Sequence, residues 1–166
     1  MSFELVFCDE PATGRAPVCD WLDSLDTGRR NAAMRGLSLV LAVEGPAVCN
    51  SEYGKALGGG LYELRIRHDA AELLRAHNPR LLEKFGAPPA SDVLLRIFFG
   101  CERERVILIV GAYDKGSDPS PRKQQTEIDK ARSRLGEYRR RRPTTPVAGQ
   151  SHSFRRWWIS QVRRRR

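Results

Sequence analysis

Two apolar segments separated by a short polar stretch constrain the fold of this chain most strongly. Residues 93–99 and 106–112 are rich in Val, Ile, Leu and Phe, and the polar residues 101–105 lie between them. Two strands joined by so short a connection are expected to pair as an antiparallel hairpin. Apolar and charged side chains alternate in residues 61–67, which is typical of a half-buried strand. The sequence therefore predicts a sheet that contains at least these three strands.

Helical patterns lie on both sides of the predicted strands. Pro17 suits the first turn of a helix, and Val18, Trp21, Leu22 and Leu25 follow it at the spacing of one apolar helix face. The predicted elements are a strand at residues 3–7, helices at 17–27 and 29–43, strands at 61–67, 93–99 and 106–112, and a helix from 121 to about 138. This order predicts a small α+β fold with the helices on one face of a mainly antiparallel sheet.

Two glycine- or proline-rich regions interrupt this pattern. Residues 58–60 are three glycines without the Gly-Lys-Ser/Thr continuation of a phosphate loop, so they are interpreted as a flexible entry to the next strand. Residues 69–91 separate two predicted strands, and residues 71–85 within them are compatible with helix. The segment 69–91 is therefore treated as an insertion in the domain.

The formal net charge of +9 is concentrated at the C-terminus. Residues 139–166 contain ten arginines and no acidic residue, whereas residues 1–138 carry 19 basic and 20 acidic side chains. The domain at 1–138 is thus near neutral, which argues against a basic nucleic-acid-binding module as a whole. Residues 143–149 have no core-forming content, so the tail at 139–166 is predicted to be disordered.

An alternative for the end of the tail is a basic amphipathic helix. Phe154, Trp157, Trp158 and Val162 fall at helical spacing with arginines around them. Such a helix would lie on an anionic membrane surface or on nucleic acid.

Cysteine and histidine usage predicts a cytoplasmic protein without a metal site. The four cysteines form no CxxC pair, and none of the three histidines has a partner at metal-ligand spacing. The cysteines are therefore expected to be reduced thiols. We expect no targeting segment and no membrane span, since no run of about 20 apolar residues stands out.

Cations placed on predicted strands are the residues that suggest chemistry. Arg65 and Arg67 share one strand face, and Arg96 lies within an otherwise apolar strand. A buried arginine needs either a carboxylate, such as Glu63, or a bound anion, and the sequence leaves both open. Tyr113 and Lys115 share a face at the end of the last strand. Arginines that hold phosphates and an aromatic ring that stacks on a base together suit RNA.

Several segments together resemble the RelE/ParE superfamily of toxins, and within it the HigB-like, phage-derived members. The resemblance covers roughly residues 3–138 and is most specific from the strand before Lys115 to the last helix. The segments are WLDSL at 21–25, LYELRI at 61–66, the strand that contains Arg96, VILIVGAYDK at 106–115, PRK at 121–123 and IDKA at 128–131.

The resemblance implies the toxin of a type II toxin–antitoxin pair. Such a toxin is a metal-independent endoribonuclease that cleaves mRNA, usually on the ribosome, and a cognate antitoxin, here expected to be a helix-turn-helix protein, neutralises it. Neither a small-molecule cofactor nor a metal is implied. Arg65 and Arg96 would bind and stabilise the scissile phosphate, Lys115 would act in proton transfer or charge stabilisation, and Tyr113 would stack or orient. The expected RNA-binding residues around this site are Arg67, Arg122 and Lys123.

The chain departs from the family pattern in two places. It carries the insertion 69–91 where relatives have a short turn, and Gly111-Ala112-Tyr113 where many relatives have a segment with a histidine. The missing histidine leaves two other functions open: a non-nucleolytic gyrase inhibitor like the ParE branch, or a phage-derived nucleic-acid-binding protein that acts through its tail.

Overall fold

A mixed sheet of five strands forms the centre of the computed structural model, which describes residues 2–141 and 153–164 of this α+β protein. The strands are β1 (Glu4–Phe7), β2 (Gly54–Gly58), β3 (Leu61–Ile66), β4 (Leu95–Cys101) and β5 (Val106–Asp114). Their order across the sheet is β1-β5-β4-β3-β2. Strand β1 runs parallel to β5, and the other neighbours are antiparallel. The predicted hairpin of β4 and β5 is confirmed.

Strand β2 was not predicted from the sequence. It pairs with β3 through a turn whose glycines, Gly58, Gly59 and Gly60, all have positive φ angles, between 62° and 83°. Glycine adopts this conformation without the steric penalty of other residues, so the three glycines close a hairpin instead of forming a flexible entry. Strand β2 is largely exposed at the sheet edge and lacks the apolar alternation that identifies a strand.

Six α-helices surround the sheet in the described residues. They are α1 (Pro17–Ser24), α2 (Thr27–Arg35), α3 (Ala70–His77), α4 (Pro79–Phe85), α5 (Pro121–Arg141) and α6 (Phe154–Arg163). Helix α2 continues through a π-helical segment (Gly36–Leu41), a final turn (Ala42–Glu44) and a 3₁₀ segment (Gly45–Asn50). The inserted segment thus forms two helices, the first of which has a capping box between Asp69 and Glu72.

The sheet is covered by helices on both faces. Helices α1 and α2, with the π-helical segment, pack on a face that includes Leu64, Ile97 and Ile109. Helix α5 packs on the other face through Ala131 and Leu135. The prediction that all helices lie on one face is therefore wrong. Apart from Arg96 and Asp114, strands β4 and β5 carry no charged side chain, and strands of this kind are buried on both sides.

The C-terminal segment differs from the predicted disordered tail. Helix α6 packs against β1, where the rings of Phe154 and Trp157 lie 6.2 and 6.1 Å from that of Phe7. Ser153 forms a β-bridge with Val6 at the sheet edge, and Trp157 donates a hydrogen bond to Asp23 (3.2 Å). The prediction of disorder is wrong for these residues, because Phe154 and Trp157 are buried in the main core.

The first residues of the predicted tail, 139–141, belong to helix α5, and the residues after them, up to 152, lie outside the described part of the chain. Helix α5 runs to Arg141, three residues beyond its predicted end, and Arg139 forms an ion pair with Glu102 (3.0 Å). The linker 143–149 lies outside the described residues.

One helical region passes the length and composition test for a membrane span. Thr27–Asn50 contains an 18-residue window with mean hydropathy 1.4, so it passes by length and composition alone. Half of this window is buried within the fold, and the core helix of a soluble protein passes the same test.

Candidate active site

Three predicted site residues form one row across the sheet. Arg65 of β3 lies opposite Arg96 of β4, and Arg96 lies opposite Tyr113 of β5. Because side chains at paired positions project from the same face, the register places all three on the face that α5 covers. The sheet therefore brings together residues that lie up to 48 positions apart in the sequence.

Glu63 supplies the counter-charge of this row. Its carboxylate is completely buried, and Oε1 accepts a hydrogen bond from Nε of Arg65 (2.7 Å) and lies 3.4 Å from Nε of Arg96. Of the two possibilities that the sequence left open for Arg96, the structure has the ion pair with Glu63. Glu63 was not predicted as a site residue, although it alternates onto the same strand face as Arg65.

Arg96 and Tyr113 are both buried. Arg96 is 3 % exposed and donates a hydrogen bond from a guanidinium nitrogen to the backbone oxygen of Leu95 (3.0 Å). Burial lowers the pKa of Arg96; the charge of Glu63 opposes this effect, and the charges of Arg67 and Arg65 add to it. A charge that is costly to bury and only partly compensated is typical of functional sites as well as of structural ion pairs.

The ring of Tyr113 is packed in the core and has no free face for a base. It is 4 % exposed and lies parallel to Phe98, with centroids 6.1 Å apart. Stacking and orienting are the two roles expected of Tyr113, and in this arrangement the buried ring offers no exposed face for stacking. Its hydroxyl is buried without a hydrogen-bond partner among the described residues, and burial raises its pKa.

Lys115 joins the row through α5. Its Nζ donates a hydrogen bond to Oε1 of Gln124 (3.0 Å). In turn, Nε2 of Gln124 donates a hydrogen bond to Oε2 of Glu63 (3.4 Å). Gln124 was not predicted as a site residue, since an amide on a helix carries no sequence signal of its own. It connects the lysine at the end of β5 with the carboxylate on β3, so three of the predicted catalytic residues, Arg65, Arg96 and Lys115, belong to one network. Tyr113 lies beside this network, and its hydroxyl forms no hydrogen bond to it within the described residues.

The three predicted RNA-binding residues lie at the edge of this network. Arg67 and Arg122 are exposed, whereas Lys123 is engaged in an ion pair with Glu127 (2.8 Å). Glu127 also pairs with Lys130 (3.1 Å). Burial alone would raise the pKa of Glu127, but the hydrogen bonds from the two lysines outweigh it and lower the pKa below its usual value. Arg67 and Arg122 are thus the accessible cations of this set.

The cations of the network surround one carboxylate, that of Glu63, in the position that a bound anion would take. Arg65, Arg96 and Lys115 meet Glu63, so positive charges outnumber negative ones. A phosphate that displaced the Glu63 carboxylate from the arginines would accept charge-assisted hydrogen bonds from them. In the described ranges 2–141 and 153–164, no three His, Cys, Asp or Glu side chains are grouped so that they could hold a metal ion.

Comparisons of this chain with known protein families, with curated proteins and with solved structures find no match.

Proposed function

We propose that this protein is the toxin of a type II toxin–antitoxin pair and cleaves mRNA as a metal-independent endoribonuclease of the RelE/HigB kind. The observation that carries the proposal is the row of Arg65, Arg96 and Tyr113 on adjacent strands, joined to Lys115 through Gln124. The element order supports it as well: a strand and two helices precede antiparallel strands and a terminal helix, as the resemblance implies for a RelE-like fold.

The proposed reaction needs a proton acceptor, cations that stabilise the phosphate, and a proton donor; the network supplies the cations. A base takes the proton from a ribose 2′-hydroxyl, the 2′-oxygen bonds to phosphorus, and the 5′-oxygen leaves with a proton from an acid. The products are a 2′,3′-cyclic phosphate and a 5′-hydroxyl end. Arg65 and Arg96 bind the phosphate and stabilise the charge of the transition state, and Lys115 acts in proton transfer or charge stabilisation. Tyr113, which lies opposite Arg96 in the sheet, would orient that arginine.

The partners of this activity are mRNA, the ribosome and an antitoxin, all in the cytoplasm. Arg67 and Arg122 are exposed, and they would contact the phosphates of the bound RNA. A helix-turn-helix antitoxin encoded by an adjacent reading frame would hold the protein inactive.

Production of the protein without antitoxin tests the proposal. Primer extension on cellular transcripts is expected to show new 5′ ends within coding regions as growth stops. Normal growth with uncut messages, in cells where the folded protein accumulates, would contradict the proposal.

The closed state of the network favours a second candidate, a non-nucleolytic gyrase inhibitor like the ParE branch. The side chain of Arg96 is only 4 % exposed and already faces a carboxylate, so a phosphate reaches it only after Glu63 moves. Intact transcripts together with an induced DNA-damage response would support this candidate and exclude the nuclease.

A further inference from the structure

We propose that a cavity on the opposite side of the sheet from the candidate active site binds a small amphiphile with an apolar body and a carboxylate. The cavity has a volume of about 330 Å³. Its walls come from α2, from the inserted segment with α3 and α4, and from α6. It is therefore built by the insertion and by the C-terminal helix, which the resemblance does not explain.

The lining of this cavity is mainly apolar. Six large side chains contribute to it: Met34, Leu74, Leu81, Phe85, Trp158 and Val162. Phe85 and Val162 are 73 % and 48 % exposed, so apolar surface remains open to solvent at the cavity. Small-molecule sites start at about 300 Å³ and combine apolar walls with a few polar groups. Both properties fit an aliphatic or aromatic body of modest size.

The positive charge of Arg35 favours a negatively charged ligand. This arginine is the charged residue in the cavity lining, and its guanidinium carbon lies 5.4 Å from the ring centroid of Trp158. Arg35 forms no ion pair with any acidic residue of the described part of the chain. Burial lowers its pKa, and no nearby negative charge offsets that effect. A partly desolvated guanidinium without a counter-charge favours a carboxylate, which it binds through two parallel hydrogen bonds.

Titration of the full-length protein with decanoate tests this assignment. Binding is followed by calorimetry and by tryptophan fluorescence, because Trp158 lines the cavity. Decyltrimethylammonium, which has the same chain and a positive head, is the matched probe. We expect one decanoate per protein and no binding of the cation at the same concentrations, which stay below those at which either probe forms micelles.

Three variants separate the charge of the site from its volume. Arg35→Gln is expected to weaken decanoate binding about tenfold or more, the effect of one lost charge-assisted hydrogen bond. Arg75→Gln removes the same charge from an exposed position on α3 outside the cavity and should leave binding unchanged. Ala87→Trp places a large ring at an exposed position of the cavity lining, so it should weaken binding while Arg35 stays intact.

The experiment tests the proposal even if one of the variants is destabilised. Circular dichroism establishes that each variant is folded, and Ala87→Trp tests the cavity without altering the buried core. Equal binding of decanoate to wild type and Arg35→Gln, equal binding of both probes, or no decanoate binding at all would overturn the proposal. Protein self-association that excludes decanoate would overturn it as well. Loss of RNA cleavage has no bearing on these results, so this proposal and the proposed function fail separately.

Discussion

Glu63 is the residue on which the buried charges of the candidate active site depend. It is completely buried, and its carboxylate faces both Arg65 and Arg96. Removal of one partner of a buried ion pair leaves the other charge desolvated without compensation. The residue therefore links the stability of the sheet to the electrostatics of the site.

Glu63→Gln is expected to lower the free energy of unfolding by about 3 kcal/mol, because Arg96 stays buried without its counter-charge. Urea denaturation at neutral pH measures the change. Glu52→Gln, at an exposed carboxylate paired with His68, is the control and should change stability by less than about 0.5 kcal/mol. The double variant Glu63→Gln, Arg96→Met should recover part of the loss; a loss equal to or larger than that of the single variant would contradict this account.

Glu127 gives the fold a pH dependence. The pKa of Glu127 is lower in the folded protein than its usual value. The ionised carboxylate therefore stabilises the fold at pH values above the unfolded pKa, and this stabilisation is lost as the pH falls through the folded pKa. Glu127→Gln should therefore destabilise the protein at neutral pH by about 0.5–1 kcal/mol, since both lysine partners are partly exposed. The difference from wild type should shrink as the pH falls below the unfolded pKa of glutamate and vanish once the folded carboxylate is protonated. Urea denaturation over a series of acidic pH values checks this, and a constant difference would refute it.

At the residue scale the sequence predicts which side chains share a strand face, but it does not predict their partners. Alternation places Arg65 and Arg67 on one face, and register then adds Arg96 and Tyr113. Whether Arg96 meets Glu63 or a ligand depends on the cover that α5 provides. That cover is a tertiary contact, and it is also what buries the ring of Tyr113.

At the scale of elements, the position of β2 depends on one close backbone contact. A Cβ atom on Gly54 would lie 2.6 Å from the backbone carbon of Val48. Neither backbone can move without disturbing the 3₁₀ segment or the β2–β3 pairing. Gly54 therefore lets the edge hairpin pack against the end of the α2 region.

Gly54→Ala is expected to destabilise the protein by about 1–3 kcal/mol, as other overpacking substitutions do. Gly136→Ala is the matched control: it lies inside α5, where an added Cβ meets only Arg140 at 3.6 Å. Alanine there should stabilise the helix by about 0.5–1 kcal/mol. Thermal unfolding of both variants decides the point, and the same sign of change for both would be inconsistent with it.

The packing of α6 makes the C-terminal helix part of the core. Trp157→Ala should cost about 3–5 kcal/mol, because the ring is 9 % exposed and contacts Phe7. Ile159→Ala changes the same helix at a residue that is 43 % exposed and should have an effect below about 0.5 kcal/mol. Denaturant unfolding measures both. Equal effects would mean that α6 does not pack on β1.

The elements with a strong apolar period were predictable, and those stabilised by tertiary contact were not. The hairpin of β4 and β5 and the helices at Pro17 and Pro121 follow from local pattern. Strand β2 has small and exposed residues, so only its pairing with β3 identifies it. Helix α6 is ordered because it packs on β1 and α1. The local sequence of an arginine-rich tail gives no sign of that tertiary packing.

At the scale of the whole molecule, the outer face of α6 is cationic. Four arginines are exposed there: Arg155, Arg156 and Arg163 in the helix, and Arg164 at its C-cap. They form no ion pair with an acidic residue in the described ranges. The helix thus contributes Phe154 and Trp157 to the core, and its outer face carries the charge.

Substitution of these four arginines by glutamine should weaken RNA binding and flatten its salt dependence without moving the cleavage positions. Each phosphate contact contributes about −0.9 to the slope of log K against log salt on a duplex and about −0.7 on a single strand. Filter binding over a salt series measures the slope, and transcript mapping measures the positions. An unchanged slope, or new cleavage positions, would contradict the role assigned to α6. Internal substitution is preferable to truncation, since truncation also removes Phe154 and Trp157 from the core.

The most direct test of the central claim is the number of 5′-hydroxyl RNA ends formed in cells that produce the wild-type protein, Lys115→Gln or Lys55→Gln. Lys55 is exposed on the edge strand β2 and serves as the charge-matched control. The account predicts abundant ends with wild type and Lys55→Gln, and a loss of about 10²-fold or more with Lys115→Gln at equal protein levels. Equal numbers of ends for all three proteins, or none above background, would contradict it.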